Sequence, residues 1–303
     1  MAHKQLTICP ATPAGATDPE GAADGARVRL VARCHTAGQR DTVTGPRLLA
    51  LDFDGVICDT VHEGCRSAWQ VCREFVTLDG DIPPPELAAV FVRLRPVLEH
   101  GWEFPVLVLA ILDGIPEATI WDTFQTACRQ RILEKYRVTP KEFAARFDAA
   151  RDRTIARSLD DWLAGQGLYP GMAERLCAIQ QSGLRMYVVT TKEGRFAHKL
   201  LETHGVRLPA DRVWGKERAR PKPELLRALA QDERVAYRDI WFVEDRLKTL
   251  HAVSRERDLA DVGLFLALWG YLMPTDRDEA AADPRITPLT LDRFCGDFAD
   301  WTR

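Results

Sequence analysis

Apolar residues fall into two patterns along this chain. Short continuous runs, Leu48-Leu49-Ala50-Leu51, Met186-Tyr187-Val188-Val189, Ile240-Trp241-Phe242-Val243 and the segment Val262 to Trp269, read as strands buried on both faces. Between them the apolar positions recur with a helical period. Arg195 to His204 closes at Gly205, Pro223 to Ala230 repeats leucine at 225, 226 and 229, and a last helix follows Pro288. Strand followed by helix, several times over, predicts an α/β domain with a doubly wound, Rossmann-like parallel sheet. Ligands of such sheets bind beyond the carboxyl ends of the strands.

The stretch from 61 to 168 is too long for an ordinary connection and has a helical period of its own. Val61, Cys65, Trp69, Cys72 and Val76 share one spacing, and Leu87, Val90, Phe91, Leu94 and Leu98 another. Thr139-Pro140-Lys141-Glu142 forms a capping box with proline at the first helical position, which predicts a long helix through Trp162. An all-helical domain is therefore expected at 61–168, inserted into a core built from 47–60 and 169–303. Residues 1–46 are rich in Ala, Gly, Thr, Pro and Asp, with one short apolar patch at Val28 to Val31. They bury too little to offset their ordering entropy and are expected to form a disordered extension.

The candidate chemistry sits where the strand runs end. Asp52 and Asp54 follow the first run, two residues apart and so on one face, and Gly55 permits a sharp turn beside them. A metal and a small anion could both sit there, although an Asp-Gly pair alone is equally a solvated turn. Thr190 and Thr191 close the second run, Glu244 and Asp245 the third, and Lys222 stands near a helix start in Arg220-Pro221-Lys222-Pro223. Lys216 is a rival for the same charge-balancing place.

These four segments, in this order, resemble the four motifs of the haloacid dehalogenase superfamily. Asp52 to Asp59 fills every position of its Asp-x-Asp-Gly-x-x-x-Asp pattern. Val189-Thr190-Thr191-Lys192 is similar to the second motif, and Lys222 takes the place of the motif lysine. Phe242-Val243-Glu244-Asp245-Arg246 is similar to its Glu-Asp form of the fourth. Many members carry a further aspartate four residues on, where this chain has Thr249, so the second acidic metal contact falls to Glu244 or to water. Tyr169-Pro170-Gly171 resembles the segment that follows a helical cap of the family's first type. Over about 47–300 the chain looks like the phosphoglycolate phosphatase and beta-phosphoglucomutase branch.

The resemblance implies a Mg2+-dependent phosphatase acting on a small phosphorylated metabolite through an aspartyl-phosphate. Asp52 would be the nucleophile and Asp54 the general acid and base. Thr190, Thr191, Lys222 and the Gly55 amide would hold phosphate oxygens, and Asp52, Asp54, Glu244 and Asp245 the metal. Arg95 is the cap residue assigned to the substrate, from a cluster with Arg93, His100, Trp102 and Glu103; a solvated helix face for Arg93 and Arg95, with Trp102 in the cap core, is an equal reading. Two alternatives stay open, a phosphomutase using the same carboxylates and a non-catalytic binding protein of this fold.

Composition narrows the picture a little. A net charge of −3 and the absence of any nucleic-acid motif point away from nucleic acid. No run approaches the roughly 18 apolar residues of a membrane helix. The eight cysteines lack metal-type spacing, which suits reduced thiols and a cytoplasmic location. Oligomeric state is not legible.

Overall fold

The computed structural model of the chain describes residues 45–301 other than 164. The segment expected to be a disordered extension lies, up to residue 44, outside the described residues. The elements run β1 (Leu48–Leu51), β2 (Cys58–Asp59), then seven helices: α1 (Val61–Cys72), α2 (Pro85–Leu94), α3 (Glu103–Leu112), α4 (Glu117–Thr123), α5 (Arg129–Tyr136), α6 (Pro140–Arg157) and α7 (Leu159–Leu163). After β3 (Gly167–Leu168) the order becomes α8 (Met172–Gln181), β4 (Arg185–Val189), α9 (Gly194–Thr203), β5 (Val213–Trp214), α10 (Lys222–Glu233), β6 (Ile240–Glu244), α11 (Leu247–Ser254), β7 (Gly263–Ala267), α12 (Asp276–Ala282), β8 (Ile286–Leu289) and α13 (Leu291–Cys295).

Six strands form one parallel sheet in the order β5-β4-β1-β6-β7-β8. Alternation along each strand divides its side chains between two apolar layers. Leu49, Leu51, Met186, Val188 and Val243 pack against α8 and α9 through Leu176, Phe196 and Leu200. Leu48, Ala50, Val189, Ile240 and Phe242 face Leu225, Leu226 and Leu250 of α10 and α11. Both faces are covered, as the unbroken apolar runs predict. At one edge Trp301 is fully buried, its ring 5.0 Å from that of Phe294 and 5.6 Å from that of Trp241.

Between β2 and β3 the chain is helical among the described residues, with its own apolar cluster around Trp69, Phe91, Phe104, Phe143 and Phe147. Two details depart from the sequence reading. The capping box is present, with Thr139 Oγ1 accepting from the Glu142 amide at 3.2 Å, but the helix stops at Arg157 rather than continuing through Trp162. Ser158 is extended at φ −159°, and its hydroxyl accepts from the Asp161 amide at 3.1 Å, so it restarts the chain as the short α7. Second, β2 and β3 pair antiparallel, Cys58 with Leu168 and Asp59 with Gly167, and bind together the two places where the chain leaves and rejoins the sheet. The described cysteines are free thiols, and burial pushes that of Cys58, beside the site, well upward. No helix among the described residues is long and apolar enough to cross a membrane.

Candidate active site

The carboxyl ends of β1, β4 and β6, which are neighbours in the sheet, carry Asp52, Thr190 and Glu244-Asp245 to one place. The first residue of α10 brings Lys222 there. Its ammonium donates to Asp52 Oδ1 at 2.7 Å, to Glu244 Oε2 at 3.1 Å and to the Val189 carbonyl. Lys216, the rival, is engaged elsewhere, with Asp148 of α6. Glu244 also accepts from the Arg246 amide at 3.1 Å, and Asp245 Oδ2 from the Tyr271 amide at 2.8 Å. Asp52, Glu244 and Asp245 present oxygens within 4.8 Å of one another.

This trio fits a cation. All three carboxylates are buried; Lys222 bonds two of them, and the charges of Arg246 and Arg95 also act on Asp245. Burial, reinforced by Glu244, pushes Asp52 up to about 7 despite Lys222, and burial likewise raises Glu244 to about 7 and Asp245 to about 6. Lys222 is raised in turn: burial disfavours its charge, but Asp52 and Glu244 outweigh that. Asp245 Oδ1 is buried without a hydrogen-bond partner. A buried carboxylate oxygen left unpaired is costly, and a hard divalent cation is the partner such an all-oxygen set suits.

Asp54, also expected at the metal, stands outside the trio. Its Oδ1 accepts from the Thr60 hydroxyl at 2.8 Å and from Lys192 Nζ at 3.3 Å. Burial pushes this carboxyl up, but Lys192, Arg151 and the Thr60 hydroxyl prevail and hold it below the ordinary value. Asp52 and Asp54, two residues apart, therefore lie in opposite electrostatic surroundings. Gly55, directly after Asp54, turns at φ 88°, and a Cβ there would lie 1.9 Å from Asp245 Oδ2. Its amide was expected to face the phosphate; it donates instead to the Cys58 carbonyl at 3.0 Å, so the position supplies room and a turn. Thr190 is buried and accepts from the Lys192 amide at 3.1 Å, while Thr191 is exposed on the rim.

A cavity of about 940 Å³ opens over these groups, lined on the far side by the inserted helices. Arg95 reaches it. The guanidinium is buried, stacked 4.0 Å above the Tyr271 ring and 4.9 Å from that of Phe104; Nη1 donates to the Leu98 carbonyl, while Nε has no partner. Arg93 instead points outward to Glu117, and Glu103 is a buried acceptor for the amides of Glu99 and His100 and for Arg129.

Three groups escaped the sequence reading. Arg151 of α6 lines the cavity and is held by Glu63 of α1 through two hydrogen bonds of 2.9 and 2.8 Å. Lys192 had a local signal, following Thr190 by two residues. Tyr271 accepts from the Thr60 amide at 2.9 Å and donates to Asp59 at 2.8 Å, tying the start of α1 to the loop after β7.

Solved structures with this fold include a predicted phosphatase from Clostridium acetobutylicum, at TM-score 0.55 and 14% identity over 83% of this chain and 97% of that one. A predicted phosphoglycolate phosphatase from Haemophilus somnus gives TM-score 0.53 and 17% identity over 86% of this chain and 97% of that one. No curated protein matches the sequence. The profile of the haloacid dehalogenase-like hydrolases matches residues 46–252, a span that holds all four motif segments. On that match, and with the sheet order and the strand-end cluster in place, the chain belongs to the haloacid dehalogenase-like hydrolase family.

Proposed function

We infer that the chain is a Mg2+-dependent phosphatase, hydrolysing a small phosphorylated metabolite through a phosphoryl group carried transiently on Asp52. The observation that carries this reading is the pairing of Asp52, buried in a cation-seeking trio, with Asp54, held by two hydrogen-bond donors at the cavity floor. Carboxylate attack on a phosphate faces like-charge repulsion. When bound by Asp52, Glu244 and Asp245, Mg2+ would relieve it and orient both groups.

The chain's own residues divide the remaining work. Asp52 forms the new O–P bond as the alkoxide departs. Asp54 delivers a proton to that alkoxide, then takes one from the water that cleaves the aspartyl-phosphate. Its depressed pKa favours the second task, and a substrate phosphate beside it would raise the proton affinity needed for the first. Lys222 keeps Asp52 aligned, and with Thr190 stabilises charge on the transferred oxygens. Residues 61–168 act as a cap that encloses the substrate, with Arg95 as a contact to it. The neighbouring folds named for phosphatases support the same reading, and the phosphate-ester branch is favoured because Asp54 stands two residues after the nucleophile.

Phosphate release from a panel of phosphomonoesters tests it, with native protein and Asp52→Asn, in Mg2+ or in EDTA. Turnover that needs Mg2+ and falls by at least about a thousandfold in Asp52→Asn is expected for loss of a nucleophile. Turnover that survives the substitution would overturn the assignment.

A further inference from the structure

The cavity remains large although the helical insert is already fastened to the sheet domain. Arg195 holds Asp152 through two hydrogen bonds of 2.6 and 2.9 Å, Lys248 holds Glu99 at 2.9 Å, and Lys216 holds Asp148. Arg246 reaches across to the Pro96 carbonyl at 2.7 Å. In each case the donor belongs to the sheet domain and the acceptor to the insert. The volume of about 940 Å³ is that of a cleft whose two walls are already tied together. It lies at the upper end of the ~300–1,000 Å³ typical of pockets that enclose drug-sized ligands. A two-carbon phosphorylated acid would leave most of it wet.

The insert's side of the lining mixes charged groups with five aromatic rings. Phe104, Phe124 and Phe147 are buried beneath it, while Trp102 and Trp121 are half-buried and border the cavity. Among the described residues neither indole pairs with another aromatic ring, a property shared by Trp69 in the insert's core, whereas Trp162, Trp214, Trp241, Trp269 and Trp301 all do. Both pack on one side against the insert's apolar cluster; Trp102 also lies 5.7 Å from the Arg129 guanidinium, and His100 on the exposed rim adds a polar ring edge. Large rings bordering a cavity without a stacking partner are surfaces for a flat ligand, because stacking depends on a π-face rather than on one hydrogen-bond pattern.

From this we propose that the substrate is a phosphate monoester whose alcohol carries a flat aromatic ring system, seated against Trp102 and Trp121 while its phosphate lies at Asp52. The proposal rests on the phosphatase reading for the phosphate end and on the insert for the ring. Glu99 and the Arg95 to Leu98 turn border the space between, where a ribose or methylene link would pass.

Two measurements on the full chain separate ring recognition from catalysis. The first compares kcat/KM in Mg2+ for adenosine 5′-monophosphate and pyridoxal 5′-phosphate with that for 2-phosphoglycolate and glycerol 3-phosphate. At least one ring-bearing ester should exceed both aliphatic esters by tenfold or more. In Trp102→Ala/Trp121→Ala this ratio should fall at least tenfold, through KM, and Trp102→Phe/Trp121→Phe should restore most of it. The second titrates the same esters into Asp52→Asn by calorimetry, where no turnover is needed and no tryptophan is the reporter. Binding of a ring-bearing ester that is lost in the double alanine variant and kept in the double phenylalanine variant supports the ring site even if native protein releases no phosphate, an outcome that would overturn only the phosphatase reading. Equal or greater efficiency with the aliphatic esters, a ratio untouched by the tryptophan substitutions, or no binding of any ring-bearing ester would each overturn the proposal.

Discussion

Asp52, Glu244 and Asp245 show how far a few neighbours decide what a carboxylate does. Their pKa values are raised by burial, so in metal-free protein the folded state holds protons that the unfolded chain has already lost. Raised values stabilise the fold below about pH 4, and that contribution is lost as pH climbs through about 6 to 7. Metal-free protein should therefore lose stability across that range, and Mg2+, which competes with these protons, should raise Tm more at pH 8 than at pH 5. Thermal unfolding with and without Mg2+ checks both; a Mg2+ effect independent of pH would contradict the assignment of these ligands. The opposite sign holds at Glu63, where burial is outweighed by Arg151 and the pKa lies below its ordinary 4.5. Its contribution is present above about pH 4.5 and lost as pH falls through the folded value. Glu63→Gln leaves Arg151 buried and unpaired, so urea unfolding at pH 7 should show a loss of about 3–5 kcal/mol that shrinks in acid.

Elements that bear their function at strand ends were the legible ones. Three of the four apolar runs stop at a residue carrying the chemistry, so Asp52, Thr190, Glu244 and Asp245 could be placed on one sheet edge from pattern alone. Lys222 was legible through its neighbouring prolines. Arg151 and Tyr271 were not, because nothing near them in sequence marks a helix face or a loop that packing alone brings to the site. The overlong α6 has a related cause: Trp162 continues an apolar period that the Ser158 side chain interrupts. The β2–β3 ribbon is two residues a side, too short for any period. At the β1 turn, Gly55 makes a sharp test. Alanine there would be strained at φ 88° and would displace Asp245, and a shift of about 1 Å among catalytic groups costs on the order of a hundredfold in rate. Gly55→Ala should lose about that much activity and bind Mg2+ more weakly, as titration calorimetry would show; near-native values would contradict the close packing.

Across the whole molecule, the sheet domain supplies reactive groups and the insert supplies enclosure, with basic donors on one side of their seam and carboxylate or carbonyl acceptors on the other. Exposed pairs of this kind contribute little one by one. The aromatic cluster around Trp301 contains none of the acidic trio, and it packs β6 and β7 together through Trp241 and Phe265. Trp301→Ala should cost about 3–5 kcal/mol in equilibrium unfolding while leaving the KM of the remaining folded protein near native. A loss below 1 kcal/mol would show that the cluster is not part of the cooperative core. The central claim, that Asp52 carries the phosphoryl group, is tested most directly by stopping native protein in acid during turnover, reducing the acyl phosphate with borohydride and mapping the altered residue by mass spectrometry. Conversion of Asp52 alone, dependent on both Mg2+ and substrate, is predicted; turnover with Asp52 unaltered and another residue converted would contradict it.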